Sequence, residues 1–595
     1  MRGLLGSQAA LALVLSATSV FAQEAGTVSN HAIPIGKGPG VTGYASLPPG
    51  SSGLPVVSNG ASSNPSYQAL GAAGLATNSV TNAKINPGSA NTFKGSLDGS
   101  TTSDIALTAC SAVYQLSKWV SGTGWQCGIN FITPSRATAA TLDLSAHSVI
   151  RTLGYTAAGD GGGATFKKTS AGAPFKDTFV SSASVTSGGS GYINGTYLGV
   201  PLTGGSGQGC AGQVTVAGGV VTSIVTAAPC TNYTAGNILT PFNGFMGGSG
   251  SGAQYTVSAV SSPLGSFTDA AGNLWQIVTD ANAFPNVRQF GCKLDWDGSD
   301  AAATNDRACF QSAIAFAYNP TSSASALVNG TSVTVPKGAA YLCGDSNNTT
   351  LLVPQGVALL GAGMQGGSSL KQCTASNSTA HFVTLCDPLA QFGQFGCKLE
   401  NISLLADGTA NANIAAVYSN SGQQFALLKN VYIQPGTRGC IYYEIGKGGA
   451  SNAIFDGVDC EVSDAITNSG VVADSSGTQI VLRDFVFGCA PSNCALSAYA
   501  INLKQGNMVL ENFHIEQHRD AILIGTTSTA HLSSIRNGTI VQGCVNGITL
   551  LSTNPNNTVL VENIESSCST ATVLNGHSGG SNVTGHVLAQ RVFNP

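Results

Sequence analysis

Seven short segments near the C-terminal end repeat one pattern: apolar, polar, then Asn, Asp or Gly, then mostly apolar residues alternating with variable ones. They are Leu399–Leu404 (LENISL), Leu428–Ile433 (LKNVYI), Phe455–Cys460 (FDGVDC), Leu482–Phe487 (LRDFVF), Leu510–Ile515 (LENFHI), Ile535–Ile540 (IRNGTI) and Val561–Ser566 (VENIES). Successive segments start 25 to 29 residues apart. A fixed period of this length marks a solenoid. Second short β-like runs follow several segments, as at Gly439–Tyr443, Asp520–Ile524 and Asn546–Leu550. Two or three short strands and their bends fill one coil of a parallel β-helix, and coils stack at the strand spacing of about 4.8 Å. The alternating apolar residues are then predicted to point into the tube. The column Asn401, Asn430, Gly457, Asp484, Asn512, Asn537 and Asn563 falls at one bend. There a residue tolerant of left-handed backbone is needed, and its amide is expected to bond the next coil's backbone. The Leu-dense consensus of leucine-rich repeats is absent.

Composition narrows the function classes. Charged residues make up 9% of the 595, and 24 basic against 28 acidic residues leave a net charge of −4. No dense Lys/Arg run offers the basic surface that phosphate neutralisation requires, so nucleic acid is excluded as a partner. A coiled coil would be rich in Glu, Lys and Arg. The hydrophobic share of 43% argues against disorder along the whole chain.

Residues 1–22 read as a signal peptide: a basic start at Arg2, an apolar run from about Ala9 to Val20, and small residues Val20 and Ala22 before Gln23. Sixteen scattered cysteines fit an oxidising compartment, without the paired spacing of a zinc knuckle. Short-range pairs are expected at Cys110–Cys127, Cys210–Cys230, Cys386–Cys397, Cys489–Cys494 and Cys544–Cys568. Residues 23–100, dominated by Gly, Ser, Pro and Asn, read as an extended attachment or stalk segment. A β lead-in is expected over 101–180 and resumes over 263–290. Between them, Val/Thr/Ile runs separated by Gly-rich turns predict a β insertion over 181–262. The β-helix itself takes 291–595 and opens with a helix that buries Cys309, Phe310, Ala313, Ile314 and Ala317. Thr304 or Asn305 is placed to cap that helix, with Asp306 in its first turn.

Asn286–Ile314 (NVRQFGCKLDWDGSDAAATNDRACFQSAI) resembles the opening signature of the pectate-lyase-like superfamily. More narrowly, it is similar to the rhamnogalacturonase/epimerase-like pectate lyase domain shared by secreted polysaccharide enzymes and phage tailspikes. The stretches 154–166 (GYTAAGDGGGATF) and 269–278 (DAAGNLWQIV) resemble the β lead-in of tailspike-like proteins. The resemblance implies an all-β protein built on a right-handed parallel β-helix with an N-terminal cap helix. It also implies a homotrimer facing carbohydrate; with the export signal and the cysteines, the expected location is secreted or at the cell surface, the alternative being a virion or prophage tail.

On a strand, residues two apart share a face. With Phe513 and Ile515 inward, His514, Glu516 and, by continued alternation, His518 are predicted to face outward. The same register places Tyr432, then Asp459 and Glu461, on neighbouring coils, two coils from His514 and Glu516 across the small pair Val486 and Gly488. Two carboxyl groups about 6.5–9.5 Å apart suit inverting glycoside hydrolysis. Glu516 is expected as the acid, Glu461 or Asp459 as the base, and His514 as the group that tunes the acid. Tyr432, Arg519 and His518 are expected to hold sugar. No cofactor or metal is called for; Asp295, Asp297 and Asp300 read as turn formers ahead of the cap helix rather than a calcium site. The expected activity is hydrolysis or elimination of a polysaccharide. The alternative is a non-catalytic, tail-like structural protein or adhesin that binds surface glycans.

Overall fold

In the computed structural model the repeat segments become parallel strands in register. The structure describes residues 132–207, 209–226, 230–279, 283–318, 331–343, 349–373, 381–386, 394–406, 414–419, 423–424, 426–436, 439–443, 453–462, 470–489, 499–525, 532–551, 558–575 and 586–593, together with short stretches before 132. The expected signal peptide and Cys110 of the expected Cys110–Cys127 pair lie outside the described residues. Two compact units are distinguished. In the first, Met1–Ala109 with Trp119–Gln126, short antiparallel pairs are described, such as Ile33–Gly36 with Tyr44–Leu47 and Thr92–Gly95 with Ser103–Ala106.

The second unit contains the parallel β-helix. One column of equivalent positions runs Val333, Leu359, Leu399, Leu428, Phe455, Leu482, Leu510, Ile535 and Val561, each paired with the next. All of these side chains are fully buried, so each contributes roughly 1.5–3 kcal/mol relative to an exposed one. Size is matched across rungs. Phe485 stacks on Phe513 at 5.2 Å, and the next rung is Gly538, where a Cβ would sit 2.1 Å from the Phe513 ring.

The Asn column forms the predicted bend. All seven residues, Gly457 included, have φ between 51° and 66°. The amides bond differently from expectation. Asn430 Nδ2 donates to Asn401 Oδ1 (2.9 Å), Asn512 to Asp484, Asn537 to Asn512 and Asn563 to Asn537. The column is a side-chain ladder, not a set of side-chain bonds to backbone, because left-handed residues stacked in register point their amides at one another.

The cap helix, Arg307–Ala317, buries the predicted face. Its start differs. Asn305 Oδ1 accepts from Arg307 N, while Thr304 donates to Asp295. Asp306 turns away from the helix and accepts from the backbone of Lys293 and Leu294, with its carboxyl held above the usual range, chiefly by burial. Asp295, Asp297 and Asp300 bond Thr304, Ser299 and Trp296, as turn formers do.

Ahead of the helix, one sheet orders the strands Phe267–Thr268, Leu274–Val278, Thr165–Lys168, Val149–Thr152 and Ile132–Thr133. Thr165–Lys168 pairs antiparallel with Leu274–Val278. The chain between them forms a separate antiparallel sheet of six strands from Val180 to Val260, with its own buried core around Tyr233, Leu202 and Val257.

The disulfides Cys210–Cys230, Cys386–Cys397 and Cys544–Cys568 are those the spacing suggested. Cys489 is also bonded, and Cys494 lies outside the described residues. Cys292–Cys309, Cys343–Cys373 and Cys440–Cys460 are joined as well, and no described cysteine is free. This pairing fits an oxidising compartment. Among the described residues no helix is long and apolar enough to cross a membrane.

Candidate active site

Four strands on stacked coils, each paired with the next, build one outer wall: Leu427–Gln434, Ala453–Val462, Val471–Cys489 and Ile501–Glu516. The Asn bend fixes where alternation restarts on each coil, so the residues beyond it fall into common columns. One column runs Tyr432, Asp459, Val486, His514, Thr539 and Glu565; the next contains Glu461, Gly488, Glu516 and Val541. Inward neighbours Ile433, Cys460, Phe487 and Ile515 are buried, which leaves the two columns facing out.

On one side of the wall, Tyr432 donates its hydroxyl to Glu461 Oε2 at 2.9 Å. The phenol is held far above its usual range, first by burial and then by Glu461 and Asp459, so it stays a proton-bearing donor. Asp459 makes up the same flank, half-buried. Its carboxyl is pushed above the ordinary carboxylate range by burial first and by Glu461 and Glu516 next.

On the other side, His514 Nε2 lies 3.3 Å from Glu516 Oε2 and His514 Nδ1 lies 2.6 Å from Thr539 Oγ1. The imidazole is thus held at both nitrogens. Between the flanks the floor is low. Val486 is 42% exposed, and over Gly488 the nearest atoms to a built Cβ are Glu516 Oε1 at 3.5 Å and Cγ at 3.8 Å. With one strand intervening, the backbones of Glu461 and Glu516 lie roughly 9.6 Å apart.

Tyr432, Asp459, Glu461, His514 and Glu516 are therefore brought to one wall. His518 is not. It is fully buried, and burial lowers its imidazole to about 4. The strand ends at Glu516, Gln517 takes φ 61°, and the bend reverses the alternation that placed His518 outside. Arg519 lies past the same bend, off the wall strand, exposed, with Nε 3.9 Å from Asp520 Oδ2. Thr539 had no role in the sequence pattern; the signal for it was its position one coil beyond His514 in the same column.

Among the described residues, one grouping of His, Cys, Asp or Glu is close enough to share an ion: Cys292, Asp306 and Cys309. The two sulfurs of that group are already bonded to each other.

No family model matches the chain, and no curated protein matches it. Solved structures similar to it include the A-module of mannuronan C-5 epimerase AlgE4 from Azotobacter vinelandii, at 15% identity, 52% of this chain, 98% of that chain and a TM-score of 0.26. The enzymatically active domain of bacteriophage CBA120 tailspike protein 2 matches at 10% identity, covering 53% of this chain and 50% of that one, with a TM-score of 0.32. A catalytic domain of a GH87 alpha-1,3-glucanase matches at 11% identity over 72% and 88%, with a TM-score of 0.28. None of these likenesses assigns chemistry to this chain.

Proposed function

We propose that this wall binds an extracellular or cell-surface polysaccharide and hydrolyses a glycosidic bond with inversion. The observation that carries the reading is the pair of carboxyl-bearing flanks separated by one rung, which carries Val486 in one column and only Gly488 in the other. That separation leaves room for both a glycosidic oxygen and an attacking water, as inversion requires.

The surroundings of the carboxyl groups favour a division of labour different from the one the sequence pattern suggests. Asp459, whose carboxyl is held above its usual range, is the better proton donor to the leaving oxygen. Glu516 then takes the proton from water on the opposite face of the sugar, so one proton is delivered and one removed per turnover. His514, fixed by Thr539, holds Glu516 in position. The Tyr432–Glu461 pair supplies hydroxyl-binding groups at the edge of the groove, and the exposed face of Val486 meets the apolar face of a sugar ring.

The test is incubation with a panel of bacterial and plant polysaccharides. New reducing ends without the ultraviolet absorbance of an unsaturated uronide are expected; that absorbance would show elimination instead. Asp459→Asn and Glu516→Gln should each lower turnover by about 10²-fold or more. Binding to a glycan without any product supports the non-catalytic, adhesin-like reading, and unchanged turnover in both variants removes the site assignment.

A further inference from the structure

The strands that form the wall carry two charge columns of different kinds. Before the Asn bend run Glu400, Lys429, Asp456, Arg483, Glu511, Arg536 and Glu562, each in register with the next. Sign alternates at every rung of this column. Arg483 Nη2 reaches Asp456 Oδ2 at 2.6 Å, and Arg536 Nε lies 3.3 Å from Glu511 Oε1. The fold therefore compensates carboxylates along its axis where nothing opposes it.

Past the bend, the same coils place Asp459, Glu461, Glu516 and Glu565 outward, with no Lys or Arg in register from Ser403 to Glu565 or from Leu405 to Val541; Lys371 stands one rung beyond Leu405, away from these carboxyl groups. His514 alone can become positive there, and it already lies on Glu516. Arg519, beyond the next bend, faces Asp520. With Asp459 protonated as the proposed acid, Glu461, Glu516 and Glu565 remain as like charges gathered on one wall, and like charges repel.

We infer that the wall discriminates by charge, taking a glycan that is neutral or amine-bearing along the contacted residues and rejecting one with carboxylate, sulfate or phosphate groups there. The inference rests on the glycan-binding reading above. An anionic sugar in contact with the wall lies closer to its carboxylates than the Debye length of about 8 Å, so salt does not hide the repulsion.

The test is a glycan array probed with the full chain, carrying neutral, amino-sugar, uronate, sialylated and sulfated glycans. Binding is expected only to members without anionic groups, with at least tenfold weaker signal for anionic counterparts of the same backbone. The double variant Glu461→Gln, Glu565→Gln should narrow that difference. Tighter binding to uronate or sulfated members overturns the inference while leaving the glycan reading intact. Unchanged discrimination in the double variant also overturns it, because the selectivity then lies elsewhere. Binding to no member overturns the glycan reading itself.

Discussion

Gly488 separates a structural from a functional account of the wall. Its φ lies outside the left-handed region, and a built Cβ meets only Glu516, at 3.5 and 3.8 Å, which is ordinary contact. The backbone therefore does not need glycine. Replacing a strand glycine reduces the freedom of the unfolded chain and stabilises by about 0.4–1 kcal/mol, and valine adds a gain of similar size from its fit to a pleated surface. Gly488→Val should raise stability by about 1 kcal/mol. The isopropyl group, however, rises between Glu461 and Glu516 in the gap where the proposed reaction seats a sugar and its water. Misplacing the reacting atoms by about 1 Å costs on the order of 10²-fold in rate. The expected outcome is a higher urea midpoint, followed by circular dichroism, together with a rate of reducing-end formation at least 10²-fold lower. Gly488→Ala should fall between. A valine variant that is folded and fully active refutes the placement of the substrate on this floor. A destabilised alanine variant refutes the claim that the glycine serves the groove rather than the backbone.

Other outcomes follow from charge. The carboxyl of Asp459 is held above the ordinary aspartate value of 3.8, chiefly by burial, so the fold is favoured with that group protonated. Its contribution is fully present below pH 3.8 and is lost as the pH rises through the higher folded value. Asp459→Asn should therefore melt above the unmodified chain at pH 7 and level with it at pH 3, measured by thermal scans across that range. In the alternating column, Arg483→Glu removes the ion pair with Asp456 and sets three acidic rungs in succession from Asp456 to Glu511. A loss of about 1 kcal/mol is expected, shrinking in high salt; a salt-independent loss would assign the effect to packing.

The parts of this fold that were legible in the sequence are those set by the Asn column. Because each bend restarts alternation at a fixed residue, the register Tyr432–Asp459–Val486–His514 could be written down from spacing alone and matches the strand pairing. Alternation fails where a second bend intervenes. Gln517, at φ 61°, is not a residue whose type announces a left-handed conformation, so His518 was carried outward by a period that had already ended. Asp306 misled for a related reason. Its position in the chain suggests a helix terminus, but two unpaired backbone amides, those of Lys293 and Leu294, compete for the carboxylate and win. The division of labour proposed for the wall carboxylates was not legible because it rests on burial and on neighbours from other coils, which no local pattern contains.

The stacking of one rung per coil makes the gap between the two flanks a whole number of rungs. Deleting the single coil that carries Val486 and Gly488 would bring Asp459 and Glu461 directly beside His514 and Glu516, about 4.8 Å away. That approaches the carboxyl separation of about 5–5.5 Å at which one group attacks the sugar and the anomeric configuration is kept. In such an architecture, gain or loss of one repeat unit can exchange one stereochemical course for the other without altering a single side chain at the reacting centre.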